Sequence, residues 1–360
     1  MKIVHIIHFM GKGGVETFLK NLIYEQVKKH DIVLITLTNN NTYNIEDFKS
    51  IKGNMSFIEI PYKKIYDLRI IFKLRSIIKK IKPDIIHTHL FPGQFITPII
   101  LLGFNLKFIT TEHGISLRRI KYPLFHYLEW FSFSRYNKIV CVSSAVNIKL
   151  KEEYPSLSYK ILTINNGIDI QRVYNTNIVK KSELSNKFND SNIIICMVGR
   201  LDVGKDFETL IKAMKLLPTC FKLLIVGDGP KRKNLEKMVI DLELEDRVDF
   251  FGFKKDIYYV FKSIDIFVLS SEREGLPITL LEAMSAKKPC IGSNVDGIKN
   301  ILVDELLFEY KNEHELADKI LFVNNSYELY SEKCYLIVQQ YDFSKMFESY
   351  ESLYKEVLME

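Results

Sequence analysis

The sequence predicts an α/β protein built as two doubly wound domains in tandem, and three observations carry that expectation. The chain has 360 residues, too many for one ordinary core and suited to two domains of roughly 170–180 residues each, on a prior of about 100–200 per domain. Short β-branched runs alternate with helical patterns from end to end, as in parallel sheets covered by helices. The alternation breaks once, at the polar stretch "QRVYNTNIVKKSELSNKFNDSN", and then begins afresh.

The first strand is expected at Lys2–His8. It lies in "KIVHIIHF" at the very start of the chain, with neither a basic leader nor a small-residue cleavage site, so secretion is not implied. Further strands are expected at Ile32–Thr38, Ser56–Ile60, Ile85–His89, Lys107–Thr111, Lys138–Val142 and Lys160–Ile164. Between them, "RIIFKLRSIIKKIK" (69–82) sets Ile, Leu and Phe against Arg and Lys at helical spacing, a basic amphipathic helix. The apolar region from Phe91 to Thr110 is interrupted by Pro98, Asn105 and Lys107. It falls short of the roughly 20 residues of a membrane span and reads as a buried helix followed by a strand. The second series is expected at Ile193–Val198, Lys222–Val226, Val248–Phe251, Ile266–Leu269 and Cys290–Gly292. Domain boundaries follow: a first domain over 1–170, a linker over 171–190, a second domain over 191–340 and a last helix over 341–360.

Composition is that of a soluble globular protein, 47% hydrophobic and 26% charged. Five cysteines, odd in number and without a C-x-x-C pair, read as buried reduced thiols in a cytosol. Charge is uneven: residues 1–170 hold 24 Lys and Arg against 13 Asp and Glu, whereas residues 171–360 hold 26 against 31. A basic first half suits an anionic membrane surface, a polyphosphate or a nucleic acid. No RNA- or DNA-binding signature accompanies it, so nucleic acid ranks last and none is expected as a partner.

In a parallel sheet of this kind, chemistry is sought just after the strands. After the first strand comes "MGKGGVET", where Gly13 and Gly14 suggest a phosphate loop. A P-loop would need Lys-Ser/Thr after the last glycine, but Val15 and Glu16 follow. A dinucleotide fingerprint would need glycine where Glu16 stands. After Ile193–Val198 comes "GRLDVGKDF", with Gly199, Arg200 and Lys205: a planar fork and a mobile point charge suited to a diphosphate. "GDGPKRKNL" adds the turn at Gly227 and Gly229. In "SSEREGLPITLLEAM", Gly275 permits close backbone approach and Pro277 suits the first turn of a helix whose amides form an anion site. Glu282 then lies roughly 7–8 Å along that helix, comparable to the reach from a diphosphate to a ribose. Of Glu274 and Glu282, one carboxylate is thus placed for sugar hydroxyls and the other for a ribose diol. His87 and His89 share one face of a strand end but lack a third ligand at suitable spacing, and no D-x-D occurs, so no metal site is expected.

Taken together, "EGLPITLLEAM", "VGRLDVGKDF", "VGDGP" and "VDGI", with "GGVETF", "PDIIHTH", "TEHG", "CVSS", "NNGID" and the terminal "DFSKMFESYESLYKEVL", resemble the retaining GT-B glycosyltransferases of glycosyl transferase group 1, family-4 type, over nearly the whole chain. The resemblance implies two Rossmann-like domains facing a central cleft, the first on the acceptor side, the second binding a nucleotide sugar, and the last helix crossing back to the first. It implies that Arg200 and Lys205 hold the donor diphosphate, that Glu274 faces the donor sugar, and that Glu282 binds the ribose. Gly275, Leu276 and Ile278 match the backbone around sugar and phosphate, and His113 of "TEHG" matches an active-site histidine; Gly13, Gly14, Gly199, Gly227 and Gly229 belong to the donor-side turns. Phe253 and Lys254 are candidates for contact with the base, with UDP favoured over GDP. The reaction implied is metal-independent retaining transfer of a hexose or N-acetylhexosamine by front-face attack, with domain closure assembling the site and with no cofactor. The acceptor implied is a saccharide, lipid-linked, in surface polysaccharide or glycan synthesis at the inner face of the cell membrane.

Two departures from the family pattern stand out: Pro277 replaces a frequent Gly, and Lys287 replaces a Gly common after the "EAM" helix. Three rivals are weighed. A non-hydrolysing UDP-sugar epimerase shares the fold but not the Arg200/Lys205 and Glu274/Glu282 arrangement. An inactive glycan-binding partner subunit would not need to keep every charged group. A P-loop ATPase fails on the missing Lys-Ser/Thr.

Overall fold

The computed structural model describes residues 1–11, 14–38, 53–60, 67, 69–114 and 123–360. Lys12 and Gly13, in the opening glycine loop, lie outside the described residues. The chain divides into two units: unit 1 comprises Met1–Gly167 with Ser344–Glu360, and unit 2 comprises Ile168–Phe343.

Unit 1 carries a seven-stranded parallel sheet: β1 (Lys2–Ile7), β2 (Asp31–Thr36), β3 (Met55–Glu59), β4 (Ile85–His89), β5 (Lys107–Glu112), β6 (Lys138–Cys141) and β7 (Ile161–Thr163). Their order is β3-β2-β1-β4-β5-β6-β7. Helices between them are α1 (Gly14–Gln26), α2 (Arg69–Ile81), α3 (Gly93–Ile100), α4 (Pro123–Ser134) and α5 (Ser144–Glu153). The expected amphipathic helix is α2: Ile70, Leu74 and Ile78, at four-residue spacing, are its buried stripe. The apolar stretch after His89 is the expected helix and strand, α3 and β5, with Pro98 inside the helix.

Unit 2 opens with α6 (Ile170–Tyr174) and α7 (Lys181–Leu184). The segment expected as a polar linker is therefore partly helical, and it is packed: Val173, Leu184 and Phe188 are buried in the unit 2 core. Three apolar residues spaced through a polar run anchor it, a signal that average polarity hides. The six-stranded parallel sheet follows, with β8 (Ile193–Val198), β9 (Phe221–Val226), β10 (Val248–Gly252), β11 (Ile266–Leu269), β12 (Cys290–Ser293) and β13 (Leu307–Phe308), in the order β10-β9-β8-β11-β12-β13. Two residues long, β13 is too short to show a period and was not expected from sequence. Helices α8 (Phe207–Leu216), α9 (Arg232–Asp241), α10 (Tyr258–Ser263), α11 (Ile278–Ser285), α12 (Glu313–Asn325) and α13 (Tyr327–Val338) complete it. The terminal helix α14 (Phe343–Met359) belongs, from Ser344 on, to unit 1, where Tyr350 and Tyr354 are fully buried.

Each sheet reverses its strand order once, at β1/β4 in unit 1 and at β8/β11 in unit 2. The carboxyl ends of strands at such switch points are where open parallel sheets bind ligands. Of the five cysteines, Cys141, Cys196, Cys290 and Cys334 are buried, while Cys220 is exposed, a correction to the expectation that all are interior.

Candidate active site

At the unit 2 switch point, two loops are fastened together. Lys205 and Ser271 form an antiparallel bridge, Asp206 N–H donates to the Ser270 carbonyl at 3.0 Å, and Glu272 N–H donates to that of Gly204 at 2.9 Å. Asp206 also caps α8, accepting from Thr209 N–H, and takes the Ser270 hydroxyl at 3.0 Å. This scaffold brings Lys205 Nζ onto Glu274 Oε1, which also accepts the Ser271 hydroxyl at 2.7 Å. Ammonium, carboxylate and hydroxyl thus meet where β8 and β11 end. Arg200 is not part of this cluster. Its side chain is 75% exposed and its Nε reaches Asp202 at 3.3 Å.

The glycines of this region pack loop against loop. Gly227 has φ +138, and a Cβ there would lie 1.9 Å from the Gly199 carbonyl oxygen; one on Gly229 would lie 2.3 Å from that of Leu201. The β8 and β9 turns lie this close because those glycines carry no side chain, and Gly199 N–H to Val226 O and Leu201 N–H to Asp228 O, both 3.0 Å, tie the turns together. Gly297, with φ +89, does the same beneath Glu274, whose carbonyl would meet its Cβ at 2.4 Å. The "VDGI" motif contained Gly297, but its contact with the Glu274 turn was not read from sequence. Nor was the role of Ser271 and Ser293, although the Ser-Ser pair after a strand was visible: Ser293 Oγ accepts Ser271 N–H and donates to its carbonyl.

Gly275 and Leu276 form the turn into α11, and Ile278 is its first residue. Pro277 stands at the N-cap, one position before the first turn expected for it, and has no side-chain cap bond. Glu282 sits on α11, and burial pushes its carboxyl up to about 8. Phe253 and Lys254 follow β10; Phe253 is exposed, and Lys254 Nζ lies 4.2 Å from the centre of the Phe251 ring. Lys287, where the family commonly has glycine, adopts φ 59, which explains why glycine suits that position. A cavity of about 410 Å³ opens beside the Lys205 loop, lined among others by Asp206, Lys212, Lys231, Tyr310 and Lys311.

In unit 1, Gly14 opens α1 and His113 directly follows β5. His5 on β1 registers with His87 on β4, and His89 with Thr111 on β5, so these side chains share one face of the sheet. His5 Nδ1 lies 3.0 Å from His89 Nε2, His5 Nε2 lies 2.7 Å from Gln26 Oε1, and His87 lies between the Tyr354 hydroxyl, at 2.8 Å, and Thr111 Oγ1, at 2.7 Å. Burial holds all of them neutral: it pushes His5 down to about 4 and His113 to about 3, and lowers His87 and His89 well below the usual histidine range. His5 supplies the third ligand that the His87/His89 pair lacked in sequence, since the three offer ligand atoms within 4.8 Å of one another. The nitrogens of His5 and His87 already hold hydrogen-bond partners, which a metal ion would have to displace. His5, Gln26, Tyr350 and Tyr354 were missed because they lie far apart in sequence.

Residues 179–333 match the family model described as glycosyl transferases group 1, and residues 12–172 match glycosyltransferase family 4. The chain is 30% identical to the UDP-Gal:alpha-D-GlcNAc-diphosphoundecaprenol alpha-1,3-galactosyltransferase of Escherichia coli, over 72% of this chain and 70% of that protein. It is 25% identical to the N-acetyl-alpha-D-glucosaminyl L-malate synthase of Bacillus anthracis, over 98% and 90%. The solved structure of Anabaena Alr3699/HepE in complex with UDP superposes with a TM-score of 0.84, at 17% identity, covering 99% of this chain and all of that one. With two Rossmann-like units, a GT-B fold and these matches along both, the chain belongs to the glycosyl transferases group 1 and is a glycosyltransferase.

Proposed function

We propose that the protein transfers a hexose or N-acetylhexosamine from a UDP-sugar to a lipid-linked saccharide, with retention and without a metal, in the synthesis of a surface polysaccharide or glycan. The observation that carries this reading is the Lys205–Glu274–Ser271 cluster at the ends of β8 and β11, beside the start of α11. In the structure the ammonium and the carboxylate satisfy each other. A donor diphosphate engages Lys205 and the amides opening α11, which offset the charge that grows on the leaving phosphate. Glu274 is then released to accept hydroxyls of the donor sugar, Glu282 accepts those of the ribose, and the exposed Arg200 is free to leave Asp202 for phosphate. His113, neutral, offers one donor and one acceptor to a substrate hydroxyl.

UDP is favoured because the galactosyltransferase relative is named for UDP-Gal and the Anabaena structure holds UDP. The lipid-linked acceptor follows the same relative's diphosphoundecaprenol substrate. Lys73, Lys79 and Lys80 on the exposed side of α2, a helix without acidic residues, suit the anionic inner face of a membrane. No helix among the described residues is long and apolar enough to cross one. Metal independence is supported by the engaged nitrogens of His5 and His87 and by the absence of D-x-D from the sequence.

The test is transfer by two variants. Lys205→Ala and Glu274→Gln are expected to lower turnover at least about 100-fold, the scale of losing one group that stabilises transition-state charge, with thermal midpoints near that of the parent. Near-normal turnover by either removes that residue from the mechanism.

A further inference from the structure

The buried polar groups of unit 1 form one continuous hydrogen-bonded chain. From Thr111 Oγ1 it runs to His87 Nε2 (2.7 Å), from His87 Nδ1 to the Tyr354 hydroxyl (2.8 Å), and from there to Gln26 Nε2 (3.0 Å). From Gln26 Oε1 it continues to His5 Nε2 (2.7 Å), and from His5 Nδ1 to His89 Nε2 (3.0 Å). Each link needs one donor and one acceptor. Gln26 donates to Tyr354, so its oxygen accepts from His5 Nε2–H; His5 Nδ1 then accepts from His89 Nε2–H, and neutral His89 is left with a bare lone pair on Nδ1. Turning the Gln26 amide round reverses every proton and leaves His89 Nδ1 as a donor instead. In both orders the chain ends at the same atom.

That atom is buried and without a hydrogen-bond partner, and so are both ring nitrogens of His113. The two rings are neighbours, with centres 5.9 Å apart, and both follow the same edge of the sheet, His89 closing β4 and His113 following β5. One oxygen making two hydrogen bonds of about 2.9 Å bridges nitrogens up to about 5.8 Å apart. A hydroxyl both donates and accepts, so it fits either proton order; an anion only accepts, so it would be repelled by the bare lone pair on Nδ1 in the order in which Gln26 donates to Tyr354.

We propose that His89 is a further substrate-binding residue of this enzyme, its Nδ1 and the nitrogens of His113 together taking one hydroxyl of a saccharide. The inference rests on the transferase reading above. It adds a group outside the charged cluster, and it makes Gln26 and Tyr354 positioning residues that fix which His89 nitrogen is free.

Two variants separate binding from scaffolding. Asparagine sets its amide where Nδ1 lies, and glutamine sets it where Nε2 lies. His89→Asn keeps the free end and breaks the link to His5; His89→Gln keeps the link and removes the free end. His89→Gln is expected to lose about tenfold in kcat/KM, the worth of one hydrogen bond, while its thermal stabilisation by UDP is unchanged. His89→Asn should lose less turnover than His89→Gln and melt lower. The reverse ranking, or parental turnover by both, overturns the proposal.

The second measurement needs no turnover. The protein labelled with ¹⁵N-histidine is observed by NMR with UDP, with UDP-glucose, UDP-galactose and UDP-N-acetylglucosamine, and with the methyl glycosides of those sugars. His89 Nδ1 and the His113 nitrogens should shift with a saccharide-bearing arm and not with UDP alone. The UDP-sugar arms point to the donor and the methyl glycoside arms to the acceptor. Signals that stay put in every arm overturn the inference even where turnover is intact, whereas failure of every UDP-sugar to bind overturns the transferase reading instead.

Discussion

The two units use one topology for opposite electrostatic ends. Both sheets are parallel and reverse their order at a central pair of strands, yet unit 1 sets imidazoles into the sheet beside that reversal and unit 2 keeps its central strands, β8 and β11, apolar. In β8, "IIICMV" is interior, and the first charged groups appear in the loops beyond it. Unit 1 places His5, His87, His89 and Thr111 within β1, β4 and β5 and covers them with Gln26 of α1 and Tyr354 of α14. A parallel sheet buried on both faces normally excludes such groups, because an unpaired polar atom there is costly. Unit 1 tolerates them by pairing nearly every nitrogen and holding the rings neutral. Unit 2 keeps charge in the loops beyond its central strands, where Lys205 and Glu274 pair. The lesson is that a shared fold positions strand ends without dictating whether charge or neutral hydrogen bonding occupies them.

The largest effect is expected where unit 2 depends on loop contact. Gly227→Ala sets a methyl group 1.9 Å from the Gly199 carbonyl at φ +138, and should destabilise unit 2 by about 3 kcal/mol or more, leaving unit 1 folded in hydrogen exchange. A parental midpoint would mean that the β8 and β9 turns separate at little cost.

The next effect divides the units by pH. Histidines lowered in the fold bind protons more weakly than in the unfolded chain, so unit 1 stability is full above pH 6.5 and falls as pH drops through the folded values. His5 alone, at about 4, gives up about 2 kcal/mol by pH 5. Glu282, raised to about 8, binds its proton more tightly when folded, so its contribution in unit 2 grows as pH falls from 8 toward 4.5. The only tryptophan, Trp130, lies in unit 1. Its fluorescence should therefore report a transition that moves down in temperature between pH 7 and 5, independently of unit 2. A transition that rises with acid would break the neutral-imidazole account. The smallest effect is expected at Lys287: replacing it by glycine relieves the φ 59 conformation, offset by the freer unfolded chain, for a gain of about 0.5 kcal/mol in urea unfolding.

Much of this was legible in the sequence, and what was not has physical reasons. Strand and helix periods located β1 to β12 within a residue or two, and α2 by its stripe of Ile70, Leu74 and Ile78. Lys205 and Glu274 were legible as candidates because each lies in a loop after a strand, whereas their pairing with each other and with Ser271 was not. The segment 171–190 misled because three buried apolar residues are enough to anchor a polar run. The imidazole chain was not readable at all: it joins β1, α1, β4, β5 and α14, residues up to 328 apart in sequence, through contacts that no local pattern encodes. Arg200 and Lys205 are close in sequence, but the Arg200 guanidinium turns to Asp202 through Nε.

The central claim is that unit 2 holds a nucleotide sugar without a metal, and thermal stabilisation by a panel of nucleotide sugars, each with and without EDTA, tests it most directly. A UDP-sugar at 100 times its Kd should add about 2.7 kcal/mol, equally in EDTA, and Lys205→Ala should remove most of that gain. Stabilisation that vanishes in EDTA, or that comes from ATP with Mg²⁺ and from no nucleotide sugar, would contradict it.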